Sequence, residues 1–118
     1  MSKHSKAAST YLKFLNLVQA VRSEPRFPTI DPVEERLLNH FAAAWHTGTP
    51  LTVVEAMSRL SDLSPATVHR RLTALRKKNF VAFEANPTDK RIKYIVGTDL
   101  AAEYFARLSK CLDLTRNH

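Results

Sequence analysis

Between Leu51 and Val96 the hydrophobic period changes once, from about 3.6 residues to 2, and this switch limits the chain to few folds. Two short helical segments precede it. In the first, Thr52 and Glu55 form a capping box, and Val53, Met57 and Leu60 supply the apolar side. Leu60-Ser61-Asp62-Leu63-Ser64 is a tight turn into the second, which runs to Asn79, with Ser64 as N-cap and Pro65 at the first helical position, where a missing N–H costs nothing. Val68, Leu72 and Leu75 fall on one side at helical spacing and should face a core. Opposite them, at about 100° per residue, lie Ala66, Arg70, Thr73 and Lys77, flanked by Thr67 and His69. Two short helices joined by such a turn make a helix-turn-helix.

After Asn79, a residue that tolerates the left-handed backbone ending a helix, Val81 and Phe83 alternate with Ala82 and Glu84. Ile92, Tyr94 and Val96 alternate with Arg91, Lys93 and Ile95, and the turn-rich Ala85-Asn86-Pro87-Thr88-Asp89-Lys90 joins the two runs as a hairpin. With Ile92, Tyr94 and Val96 inward, Arg91 and Lys93 share the outward face with Lys90 at the tip.

Flanking segments follow the same grammar. Residues 1–9 carry Lys3, His4 and Lys6 among small polar residues and read as a disordered basic arm. Over 10–24 a helix is expected from the stripe Tyr11, Phe14, Leu15, Val18 and Val21, widened by Leu12 and Leu17 and ended by Pro25 and Pro28. Asp31-Pro32-Val33-Glu34 is a capping box opening a helix to about Trp45, with Leu37, Leu38, Phe41 and Trp45 inward; Gly48 and Pro50 stop it. Gly97-Thr98-Asp99 opens a last helix over 99–114, striped by Ala101, Tyr104, Phe105, Leu108, Cys111 and Leu112, with Arg107 and Lys110 pointing away and 114–118 frayed. Both outer helices are too apolar to stand free: each packs on its own domain or meets another subunit. In the second case Tyr11, Phe14, Leu15, Val18, Tyr104, Phe105, Leu108 and Leu112 form the dimer interface.

Length and charge narrow the function. At 118 residues and 44% hydrophobic, the chain is long enough for one core and short for two. Its net charge of +7 favours a polyanionic partner. The segment from Pro65 to Lys93 sets eight cations (Arg70, Arg71, Arg76, Lys77, Lys78, Lys90, Arg91, Lys93) against Glu84 and Asp89, and so holds six of those seven charges. No apolar run approaches the roughly 20 residues of a membrane span, and no secretory signal opens the chain, so a cytoplasmic location is expected. The five histidines show no metal-ligand spacing and Cys111 is alone, so no metal and no cofactor are expected. Cys111 on its apolar stripe reads as a buried thiol. Only Gly48 and Gly97 are present, which leaves no phosphate-cradling loop; nor is there a nucleophile elbow, and no enzyme activity is expected.

Thr52-Val53-Val54-Glu55-Ala56-Met57, then Ser64 through Leu75, Lys77-Lys78-Asn79-Phe80-Val81 and Asn86-Pro87-Thr88-Asp89-Lys90-Arg91 resemble the winged-helix core of MarR-type bacterial transcriptional regulators. The resemblance spans roughly Asp31 to Leu108, and its most particular feature is Asp89 and Arg91 ahead of a strand ending in Thr98. It implies that the helix from Ser64 enters a major groove, that Arg91 enters a minor groove with Asp89 orienting it, and that the terminal helices form a dimer. Asn79 stands where that family usually has glycine, Phe83 where it often has arginine, and one C-terminal helix where it commonly has two.

The expected fold is therefore mainly α with a small β-hairpin: a winged helix-turn-helix over 31–98, a three-helix core plus wing, flanked by N- and C-terminal dimerisation helices. The expected function is sequence-specific binding of double-stranded DNA as a homodimeric transcriptional regulator. Ala66, Thr67, His69, Arg70 and Thr73 would face bases, since small, polar and arginine side chains suit base edges. Arg76, Lys77, Lys90 and Lys93 would meet phosphates, and half-sites would lie about 34 Å apart. Two other readings stay open: a winged helix that docks an acidic protein in an assembly, and a plasmid or phage replication or partition protein. The sequence does not reveal an effector.

Overall fold

The computed structural model describes residues 6–116. In order the elements are α1 (Lys6–Arg22), α2 (Pro32–His46), α3 (Val53–Arg59), α4 (Pro65–Lys77), β1 (Val81–Ala85), β2 (Lys93–Gly97) and α5 (Asp99–Arg116). They fall into two compact units: residues 30–101, and the two ends of the chain through Thr29 and from Ala102.

Local chemistry sets each boundary in the 30–101 unit. Asp31 caps α2 and Thr52 caps α3, each in a reciprocal box with a glutamate three residues on, Glu34 and Glu55. Ser64 accepts from the Thr67 N–H and caps α4, with Pro65 in its first turn. Gly48 follows α2 at φ 80° and Asn79 follows α4 at φ 66°, the two left-handed positions the expected stops require. The interior is built from Leu37, Leu38 and Phe41 of α2, Ala56 of α3, Val68, Leu72 and Leu75 of α4, and Phe80, Val81 and Ile95. Removing any one of these large side chains would leave a cavity costing about 2–5 kcal/mol. Trp45 sits at the edge, donating Nε1–H to the Ile95 carbonyl at 2.9 Å. Its ring lies so close to Gly97 that a Cβ there would stand 3.1 Å away.

The hairpin has the opposite phase on β2 from the expected one. β1 and β2 pair antiparallel with Val81 opposite Gly97, Phe83 opposite Ile95 and Ala85 opposite Lys93. Ile95 is buried, whereas Ile92 is exposed and Tyr94 and Val96 only half-buried. The reason is a third segment: the Ile95 N–H bonds the Leu51 carbonyl at 2.8 Å, and Thr52 bridges Tyr94, so β2 is pinned on both edges. The set Arg91, Lys93 and Ile95, expected outward, is therefore the one that shares the inward face with Phe83.

The other unit departs from expectation in several places. α1 begins at Lys6, so residues 6–9 are helical; Ala7 and Ala8 are strong helix formers and extend the helix without needing burial. The rest of the expected arm, residues 1–5, lies outside the described residues. α5 continues to Arg116 instead of fraying from Leu114, because Thr115 is buried and its hydroxyl donates to the Cys111 carbonyl at 2.7 Å. Val18 and Tyr104 are covered within the unit, which removes them from the expected dimer surface. Tyr104 packs edge-on against Phe27 at 5.3 Å, and its hydroxyl accepts from Arg22 Nε at 3.2 Å. Arg107 does not point away: its guanidinium meets Glu24 at 2.8 Å. Cys111 is buried, with its thiol donating to the Arg107 carbonyl. Tyr11 and Leu112 remain 61% and 58% exposed, and line, with Ala7, Thr10, Phe14 and Thr115, an open groove of about 560 Å³.

Candidate nucleic-acid interface

The helical period of α4 distributes its polar residues over three flanks. Ala66, Arg70 and Lys77 lie exposed along one line, with Thr73 half-buried between them. Thr73 spends its hydroxyl proton on the His69 carbonyl at 2.9 Å, so toward a partner its oxygen can only accept. Thr67 is similarly occupied, accepting from the Ser64 hydroxyl at 2.9 Å. On the second flank, His69 and Arg76 face the hairpin. The Arg76 guanidinium lies 4.8 Å over the Phe83 ring, so Phe83 serves as a platform that holds this cation.

His69, Arg76, Arg91 and Lys93 line one open groove of about 510 Å³ together with Thr52, Val53, Val54, Phe83 and Ile92. The phase of β2 brings Lys93 there; with the expected phase it would have pointed to the far side. Lys90 is exposed at the tip outside this groove.

The wing tip is ordered by its own side chains. Asn86 Oδ1 accepts from the Thr88 N–H, the Thr88 hydroxyl and the Asp89 N–H, at 2.8 to 3.1 Å, while its amide donates to the Tyr94 hydroxyl at 3.0 Å. This places Asp89, whose oxygens accept from Arg91 Nε and Nη2, both at 3.0 Å, and from the Arg91 N–H at 3.1 Å. The Arg91 side chain is nonetheless 90% exposed. Its guanidinium, and after it its backbone N–H, hold the Asp89 carboxyl below the usual carboxylate range, and the same pairing raises Arg91. Arg91 is thus oriented by a fork that uses two of its five donors and leaves it available to a partner. The residue missed in the sequence is Asn86, though an asparagine two residues before Thr88 is the ordinary signal for such a turn.

Of the eight cations in this segment, three are already matched: Arg71 by Asp31 at 2.6 Å, Lys78 by Glu34 at 2.9 Å, and Arg91 by Asp89. Arg70, Arg76, Lys77, Lys90 and Lys93 have no ion pair among the described residues. Also among the described residues, no group of three or more His, Cys, Asp or Glu could hold a metal, and no helix is long and apolar enough to cross a membrane.

The model of the MarR family matches residues 46–93, from the end of α2 through the wing. The chain folds as a winged helix similar to those of MarR-type proteins. The fold agrees with solved structures well beyond that segment. Transcriptional regulator Tm0710 from Thermotoga maritima, 15% identical, superposes at a TM-score of 0.65 over 94% of this chain and 72% of its own. An S. aureus MepR mutant bound to an oligodeoxyribonucleotide, 16% identical, gives 0.65 over 98% and 81%. A MarR-like transcriptional regulator from Thermotoga maritima, 20% identical, gives 0.61 over 97% and 80%. No curated protein matches the chain in sequence. Within this winged helix, Asn79 makes the left-handed turn after α4 that glycine would make without strain.

Proposed function

We propose that this chain binds double-stranded DNA in a sequence-specific manner as a homodimer and regulates transcription. The observation that carries the reading is the outward line of α4. Small side chains are followed by the cations Arg70 and Lys77, neither of them in an ion pair among the described residues, and the exposed, pre-oriented Arg91 stands on the neighbouring wing. α4 is narrow enough there to enter a major groove, where Arg70 can take a guanine bidentately and Ala66 and the Thr73 methyl can meet thymine methyls. Arg76, Lys77, Lys90 and Lys93 neutralise phosphates, and Arg91 occupies the adjoining minor groove. Support for a DNA partner comes from the S. aureus MepR mutant, of the same fold, which is bound to an oligodeoxyribonucleotide. Support for self-association comes from the uncovered Tyr11, Leu15 and Leu112 on the terminal helices, where Phe14, Phe105 and Leu108 are half-buried. On this reading 31–98 reads DNA and the helices outside it join two copies.

Binding to duplex DNA over a range of salt tests the reading. Each phosphate contact contributes about −0.9 to the slope of log affinity against log salt, so four such cations predict a slope near −3.6 per protomer. Arg70→Ala is expected to cost about 1–3 kcal/mol on a specific site and to relax preference at one position. A slope near zero, or identical affinities for the native chain and the Arg70→Ala, Arg91→Ala double variant, would exclude DNA as the partner.

A further inference from the structure

Two cations of α4 and its cap take no part in the proposed reading surface, and both are matched to the same short segment. Arg71 and Lys78 are seven residues apart, two helical turns, and so lie on one flank of the helix, about 120° from the line of Ala66, Arg70 and Lys77. Asp31 and Glu34 are one turn apart at the start of α2. Each of these carboxylates serves both helices at once. Asp31 accepts the Glu34 N–H at 2.8 Å and meets Arg71 Nη1 at 2.6 Å. Glu34 accepts the Asp31 N–H at 2.7 Å and holds Lys78 Nζ with both oxygens at 2.9 Å. Glu34 is 1% exposed although it is a glutamate. A carboxylate so deeply placed is costly unless paired, and Lys78 is its only cationic partner among the described residues.

We propose that Asp31 and Glu34 are positioning residues for DNA binding: the capping box of α2 doubles as a two-point clamp that fixes the rotation and tilt of α4 through Arg71 and Lys78. The inference rests on the DNA-binding reading for its functional effect. A single pair would leave the helix free to pivot; two, about 10 Å apart along its axis, do not. Arg71 and Lys78 therefore contribute to affinity through the orientation of Arg70, and neither neutralises phosphate.

The full chain is titrated with a labelled random-sequence duplex about two helical turns long at several salt concentrations. Variants are Glu34→Gln, which keeps an acceptor for the Asp31 N–H while removing the charge, Lys78→Met, the double variant, and Lys78→Arg. Each single loss of charge is expected to weaken binding roughly 5- to 30-fold at every salt concentration, leaving the slope unchanged. The double variant should bind no worse than the weaker single one, and Lys78→Arg should bind like the native chain. A slope reduced by about 0.9 in Lys78→Met, with Glu34→Gln binding normally, would make Lys78 a phosphate contact and overturn the proposal. Unchanged affinity in both single variants overturns it too. Because Lys78→Met strands a buried carboxylate and can unfold the chain, amide exchange of the free Glu34→Gln protein supplies a second readout. The clamp requires faster exchange along α4 with β1 and β2 still protected; unaltered α4 protection refutes it. Should the native chain ignore duplex DNA altogether, the functional reading fails, and amide exchange alone still decides whether the clamp exists.

Discussion

Arg91 shows how one side chain is made both exposed and ordered. Its fork onto Asp89 exists because Asn86 first folds the tip and brings Asp89 into place. Replacing Asn86 by Ala removes three accepted hydrogen bonds at once, and the expected outcome is divided: a melting temperature nearly unchanged, since the tip is exposed, and clearly weaker duplex binding. Equal binding by native and Asn86→Ala proteins in a gel shift would show that tip order is irrelevant. The pH dependence follows from the sign of the Asp89 shift. A carboxyl held below its ordinary value in the folded chain contributes above that value and loses the contribution as pH falls through the lowered one. The fork should therefore persist from neutral pH down to the ordinary aspartate value, about 3.9, and open only below it. Chemical shifts of the Arg91 Nε–H followed over an acid titration would check this; a transition at pH 5–6 contradicts it. The Asp89 and Arg91 pair was expected from the resemblance of this stretch to the MarR-type wing. The neutralisation of Arg71 and Lys78 was not, since their partners lie some 40 residues away and only the packing of α2 on α4 brings them together.

Secondary elements carry their own start and stop signals, which is why they could be read in advance. Thr52 with Glu55, Asp31 with Glu34, Ser64 with Pro65, and the left-handed Gly48 and Asn79 all act where the residue types place them. Ser64→Ala should accordingly cost about 1 kcal/mol of stability through the lost cap on α4. Gly48→Ala should cost a similar amount through backbone strain alone, because a Cβ there meets nothing within 4 Å. Denaturant unfolding of both variants tests this pair, and an unchanged midpoint for either removes its premise. The strand β2 was harder for a physical reason. Ile92, Tyr94, Ile95 and Val96 put apolar residues on both faces, so alternation alone selects neither, and the decision falls to Leu51, whose carbonyl takes the Ile95 N–H from outside the hairpin. The terminal boundaries erred in the same direction: local composition suggested loose ends, while α1 and α5 continue to Lys6 and Arg116.

At the scale of the whole molecule, self-association is the property on which a two-site reading of DNA depends. Tyr11→Glu with Leu112→Glu places charge on two well-exposed apolar positions that contribute little to the interior. Light scattering at micromolar concentration is expected to give twice the chain mass for the native protein and the single chain mass for the variant, with unchanged helical circular dichroism. A native protein already at single mass would dispose of the homodimer. The placement of Lys93 on the side of Ile95 has a further consequence, for how such chains can diverge. Whether the wing reaches the groove and whether it seals the interior are governed by one parity, so a residue gained or lost between these two positions turns the cation away or exposes the isoleucine. Pro87 to Lys90 stand outside that count. New binding preferences can therefore accumulate at the tip by substitution or lengthening, while everything beneath it stays as it is.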